Sequence, residues 1–157
     1  MQDLLNQRQT YLRNLPLFGG VNWDACRLLA QAAKPMTLDD GATLYCAGEK
    51  AEAVYILYSG RVQLEQDNIS LNELGEGAHL GDMEFFDMTV RAFNVRAMGP
   101  CEVWQIPFAA FDQLRRNDLK AFALIAMNAA RQMSRRLREI DAERCDLHRQ
   151  LEQRVQL

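Results

Sequence analysis

The sequence predicts a mainly β domain with flanking helices, a sandwich or jelly roll followed by one long helix. Three observations carry this. Between Pro35 and Ile106, short runs rich in β-branched and aromatic residues alternate with Gly, Asp and Asn at short intervals. Before Pro35 and again after Pro107, apolar residues recur at helical spacing. From Asp118 to Arg154 there is neither Gly nor Pro, so the last helix is predicted to run unbroken for about 55 Å at 1.5 Å per residue.

Taken in order, Leu4, Leu5, Leu12 and Leu15 share one helical face, and Pro16 stops that run. A second helix follows Asn22, a good N-cap residue, with Ala25, Leu28, Leu29 and Ala32 as its apolar face and Pro35 marking its end. Strands are expected near 36–38, 43–46, 53–58, 61–66, 69–74, 92–98 and 101–106. Hairpin turns are expected at Tyr58-Ser59-Gly60-Arg61 and Gln66-Asp67-Asn68-Ile69. One helical turn, Gly81-Asp82-Met83-Glu84-Phe85-Phe86, interrupts the strands. Gly81 supplies backbone freedom there, and Asp82 favours a helix start. Phe108, Phe111 and Leu114 make a short amphipathic helix that breaks near Asn117, after which Asp118 caps the long helix. The expected division is N-terminal helices over 1–34, a β-roll ligand-binding domain over 35–116 and a coiled-coil helix over 117–157.

The long helix carries two apolar patterns. In its first half Phe122, Leu124, Ile125 and Met127 are apolar nearly all round, which implies packing on the β domain and on a second body. In its second half Met133, Leu137, Ile140, Arg144, Leu147, Leu151 and Arg154 alternate steps of four and three. That is a heptad seam with two basic interruptions, and it predicts a parallel coiled-coil homodimer with Met133, Leu137, Ile140, Leu147 and Leu151 at the interface.

The 157 residues are 48% hydrophobic and 25% charged, with a net charge of −3. That total divides into −7 over residues 1–114 and +4 over residues 115–157. Glu139, Asp141, Glu143 and Glu152 interleave with the arginines of the tail, so its charge reads as the solvated flank of a coiled coil. An acidic chain is not expected to bind nucleic acid generally. No apolar run reaches the roughly 18 residues of a membrane helix, and Met1-Gln2-Asp3 opens no signal peptide. Cys26, Cys46, Cys101 and Cys145 follow no zinc, iron–sulfur or disulfide spacing, which suits the reducing cytoplasm. With only His79 and His148, and no nucleophile elbow or P-loop, no catalytic constellation can be assembled, and an enzyme is not expected.

Several strings, in order, resemble one family. They are Leu15-Pro16-Leu17-Phe18, the stretch from Gly48 to Val62 that includes Tyr58-Ser59-Gly60-Arg61, Gly75-Glu76-Gly77 followed by Leu80-Gly81-Asp82, and Met133-Ser134-Arg135-Arg136-Leu137. The chain resembles the cyclic-nucleotide-binding domain of catabolite-activator (Crp/Fnr-like) regulators over most of residues 10–140. The resemblance implies a double-stranded β-helix (jelly roll), a dimerisation helix and a cyclic nucleotide as ligand. The chemistry has its own logic. Backbone N–H groups around Gly81 to Met83 can meet an anion at a helix start, and Arg91 can add a charge-assisted contact to a phosphate. In the family the acid after the glycine accepts a bond from the ribose hydroxyl, which assigns that role to Asp82. Ala92, in place of a hydroxyl residue, leans toward cAMP over cGMP. Base contacts from the long helix fall at Ile140 and Asp141; Asp141 either accepts from an adenine amino group or is a solvated residue. The expected ligand residues are thus Gly81, Asp82, Met83, Arg91, Ala92 and Asp141.

Four departures from the family pattern stand out. Asp82 replaces a glutamate, Glu84 stands where a small residue is preferred, the stretch from Phe86 to Arg91 is a residue shorter, and Phe93 replaces an alanine. The family's transcription regulators carry a winged helix-turn-helix after the long helix. No residues follow Leu157 to form one, so DNA binding is not expected of this chain. It reads as a stand-alone sensor or as the front of a longer regulator with an effector domain or partner. The expected function is a dimeric sensing module for a cyclic nucleotide or related phosphorylated ligand. The alternatives are a degenerate, ligand-free dimerisation and docking module, and a haem or redox sensor drawing on His79, Cys46 and Cys101.

Overall fold

A computed structural model describes residues 1–156; Leu157, the last residue of the expected stalk, lies outside the described residues. The elements in chain order are α1 (Gln2–Arg13), a 3₁₀ turn (Pro16–Phe18), α2 (Trp23–Ala32), β1 (Lys34–Leu38), β2 (Thr43–Tyr45), β3 (Ala53–Gln66), β4 (Ile69–Leu74), β5 (His79–Leu80), α3 (Met83–Asp87), β6 (Asn94–Pro107), α4 (Phe108–Asn117) and α5 (Leu119–Val155). The strands are antiparallel in the order β1-β6-β3-β4, with β2 added to β6 and β5 to β3.

Strand periodicity sorts β3 between two cores. Val54 and Ile56 face the helices, while Tyr55 and Leu57 face the roll interior. The helical core gathers Leu12, Phe18, Leu29, Ile106, Phe111, Leu114 and Ile125. The roll interior is filled by Tyr45, Tyr55, Val62, Leu64, Leu80, Val95 and Val103, with half-buried Phe93 packed against them.

Two expectations about the strands are corrected. Tyr58-Ser59-Gly60-Arg61 is no hairpin turn, because β3 continues through it without reversing. The register on β6 shifts on either side of Ser59, and Gly60 takes φ +88°. A Cβ on Gly60 would lie 2.6 Å from the Pro100 carbonyl oxygen of the partner strand. The glycine therefore bends β3 where β6 crosses close to it, rather than reversing the chain. For the same reason the expected strands 92–98 and 101–106 are one strand, β6, which follows β3 around the bend. The short β5 escaped notice because two residues carry no period. The second expected turn is present: Asp67 (φ 51°) and Asn68 (φ 62°) both adopt the left-handed conformation of a two-residue hairpin.

The caps act as expected. The Asn22 side chain accepts from the Ala25 N–H at 2.9 Å, and that of Asp118 from the Ala121 N–H at 3.0 Å. Asn22 also donates to Asp118 at 2.8 Å, tying the start of α2 to the start of α5. Farther along α5, Ala121, Ile125, Asn128 and Ala129 are buried, whereas Met127 is exposed. The amide nitrogen of Asn128 donates to the Leu17 and Gly19 carbonyls at 3.1 and 2.9 Å, which locks the helix to the 3₁₀ turn. Met133 packs partly against the helical core. Beyond it Leu137, Ile140, Leu147 and Leu151 all stand exposed. Among the described residues no helix is long and apolar enough to cross a membrane.

Candidate functional site

The site is built from two loops that the sheet brings face to face. One is the β5–α3 turn: Gly81 at φ +78° leads directly into the short helix α3. The other carries Arg91, whose N–H donates to the Glu49 carbonyl at 2.9 Å and whose carbonyl accepts from Gly48 N–H at 2.8 Å. Those two bonds pin its backbone to the 48–49 turn and direct its side chain inward, where only 3% of the residue remains exposed.

A buried cation must be paired and hydrogen-bonded. Arg91 donates from Nη2 to the Ala53 carbonyl at 2.7 Å and from Nη1 to the Gly81 carbonyl at 3.3 Å. Its guanidinium carbon lies 4.3 Å from the centre of the Tyr45 ring. Its ionic partner is Glu84, whose Oε2 is 3.4 Å from Nη1. The other oxygen of Glu84, Oε1, accepts from the Ala92 N–H at 3.3 Å. Burial pushes the Tyr45 phenol far up, with the Glu84 charge adding to the rise and Arg91 opposing it. Gly81 is required by the same packing, since a Cβ there would fall 2.2 Å from Arg91 Nη1.

A second cluster joins this cassette to α5. His79 Nδ1 lies 3.1 Å from Asp82 Oδ1, and its Nε2 is hydrogen-bonded to Gln132 on α5. The Nδ1 contact is off-line, a charge contact when the ring is protonated rather than a directional hydrogen bond, and Asp82 Oδ2 is buried without a partner. Burial drives the imidazole toward its neutral form, but Asp82 and Gln132 outweigh this and raise its pKa, against the opposing charge of Arg136. A crevice of about 270 Å³ opens here between β4, β5 and α5, with Asn72, Asp82, Met83, Gln132, Arg135 and Arg136 among its walls.

The structure thus brings together five of the six expected ligand residues: Gly81, Asp82, Met83, Arg91 and Ala92. Asp141 is not with them; it is exposed on α5, 3.7 Å from Arg144, outside the crevice lining. Arg91, expected to contact a phosphate, is paired with Glu84 in the structure. Tyr45 and Ala53 were missed because they reach Arg91 across 46 and 38 positions of chain, beyond any local spacing. The signal for Glu84 was present in the sequence as a charge at a position where a small residue is preferred. His79 is engaged by Asp82 and Gln132, Cys46 is exposed, and Cys101 is buried with its thiol on the Arg61 carbonyl. Among the described residues no three His, Cys, Asp or Glu side chains gather as a metal ion requires.

Fold and cassette together define a jelly-roll domain whose β5–α3 turn, closed over a buried arginine, is set against a long C-terminal helix. Residues 35–118 match the cyclic nucleotide-binding domain, and the chain belongs to that family. It is 29% identical over 98 residues to the cAMP-dependent protein kinase regulatory subunit of Yarrowia lipolytica, covering 62% of this chain and 26% of that protein. The fold is similar to the catabolite activator protein of Thermus thermophilus, with TM-score 0.68 and 27% identity, over 82% of this chain and 61% of that one. It is also similar to a regulatory subunit of a cAMP-independent protein kinase A from Trypanosoma brucei, with TM-score 0.69 and 20% identity, over 82% and 48% of the two chains. That subunit is a triple mutant bound to cAMP in its A site: a Glu→Ala change, a Thr→Arg change seven residues later and a Val→Ala change directly after it. The chain is a cyclic nucleotide-binding regulatory domain like those of kinase regulatory subunits and catabolite activators.

Proposed function

We propose that this chain is a dimeric regulatory module that binds a cyclic nucleotide, cAMP in preference to cGMP, and signals through α5 to an effector domain or partner protein. The observation that carries the reading is the closing of the Gly81-Asp82-Met83 turn over the buried guanidinium of Arg91, which bonds the Gly81 carbonyl, with Ala92 adjacent in the chain and a crevice that runs from Asp82 and Met83 to α5. The cAMP-bound Trypanosoma mutant has arginine and alanine at two of its substituted positions. Arg91 and Ala92 stand here at the same spacing, seven and eight residues after Glu84. Ala92 offers no hydroxyl, which supports the preference for cAMP. The His79 link supports signalling, since a ligand that moves Asp82 alters the contact holding the His79 ring, whose Nε2 is bonded to Gln132 on α5. The dimer rests on the exposed seam of Leu137, Ile140, Leu147 and Leu151, which a second copy would cover by coiled-coil packing. Four unpaired cysteines, two of them exposed, suit a cytoplasmic location.

Isothermal calorimetry with cAMP and cGMP tests the ligand. Saturable heat below about 1 mM, tighter for cAMP, is the expected result. No heat up to that level with the protein folded refutes it. One observation favours a second reading, a ligand-free dimerisation and docking module: Glu84 already neutralises Arg91. Calorimetric silence combined with a stable dimer in sedimentation would establish that alternative.

A further inference from the structure

We infer that Glu84 is an internal competitor for the anion site, and that cyclic nucleotide binds by displacing its carboxylate from Arg91 and Ala92. The inference rests on the cyclic-nucleotide reading above and adds what limits the affinity.

The donors identify the competition. Arg91 and Ala92 are adjacent in the chain, and the guanidinium of one and the N–H of the other aim at the two oxygens of a single carboxylate. A cyclic phosphodiester presents the same chemistry as that carboxylate, one negative charge shared by two acceptor oxygens. Both groups therefore call on the same donors, and only one can be served at a time.

The distances show which partner is replaceable. Charge-assisted N–H···O bonds commonly measure about 2.7–2.9 Å. The bond from Arg91 to the Ala53 carbonyl is that short at 2.7 Å, whereas the two contacts of Glu84 are stretched to 3.4 and 3.3 Å. The guanidinium is thus anchored on the backbone of Ala53 and Gly81 and on the Tyr45 ring, and it keeps its place when Glu84 leaves. Charge balance points the same way. The charges of Glu84 and Arg91 cancel at the donor pair before any ligand arrives, so an anionic ligand meets no net positive charge there. Removing the charge of Glu84 leaves Arg91 unopposed at the donor pair.

The test compares the unmodified chain with Glu84→Ala and Glu84→Gln by calorimetry with cAMP, with each variant's thermal melt recorded. At least tenfold tighter binding by Glu84→Ala is expected, with Glu84→Gln between the two, because glutamine keeps the volume and an acceptor but loses the charge. The gain should vanish when Arg91→Met is added. If Glu84→Ala does not fold, Glu84→Gln decides alone. Equal affinities in the unmodified chain and a folded variant overturn the inference while leaving cyclic-nucleotide binding intact. No binding by any of the three overturns both.

Discussion

Replacing Arg91 by methionine is the sharpest test of how the cassette is held together. Methionine keeps much of the volume and removes the cation, leaving Glu84, itself only 5% exposed, with the Ala92 N–H as its remaining donor. Stranding one member of a buried ion pair costs about 3–5 kcal/mol. The Ala53 and Gly81 carbonyls lose their donor as well, and the Tyr45 ring loses its cation. These losses overlap, so a destabilisation of about 4 kcal/mol is expected, a large part of the 5–15 kcal/mol typical of a domain. At roughly 2–4 °C per kcal/mol for a chain of this size, the melting temperature should fall by about 8–16 °C. Urea denaturation followed by circular dichroism would measure the single variants Arg91→Met and Glu84→Gln and the double variant. Because the double variant no longer buries an unpaired charge, it should recover about 1–3 kcal/mol relative to additivity. A cost below about 1 kcal/mol for Arg91→Met, or a cycle additive to within about 0.5 kcal/mol, would show that Glu84 and Arg91 are not coupled.

Gly81→Ala must place a Cβ 2.2 Å from Arg91 Nη1 at φ +78°, so we expect a loss of at least about 2 kcal/mol in thermal melts together with weakened cAMP binding. His79 has a raised pKa, so its ion pair with Asp82 stabilises the fold fully below the ordinary histidine value of about 6.5 and fades as pH rises through the higher folded value. The stability difference between the unmodified chain and His79→Gln, followed as urea midpoints across that range, should therefore shrink with rising pH; a flat difference would contradict the pairing. Leu147→Glu places a charge on the exposed seam without touching the core, so sedimentation should show a weaker or absent dimer with unchanged circular dichroism below the melting transition.

The parts of the fold that could be read directly are those whose causes lie within a few residues. Asn22 and Asp118 cap the helices that follow them because a side-chain oxygen reaches an N–H three positions on. Asp67-Asn68 turns the chain because both residues tolerate the left-handed conformation. The bend at Gly60 could not be read this way. A glycine after serine fits a hairpin equally well, and the choice was made by Pro100 lying against it from β6.

The site divides along the same line. Sequence alone was enough to single out Gly81, Asp82, Arg91 and Ala92 as an expected ligand cassette and to show that the last helix carries an apolar seam, because spacing and charge are local properties. The tertiary structure decided that Arg91 is buried, that Glu84 holds it, that His79 ties Asp82 to α5 and that Asp141 stands apart. The reason is physical: whether a charge meets solvent, a ligand or another side chain depends on which groups the fold brings within a few ångströms. Tyr45 and Ala53, which seat the arginine, come from strands that only the sheet places beside it.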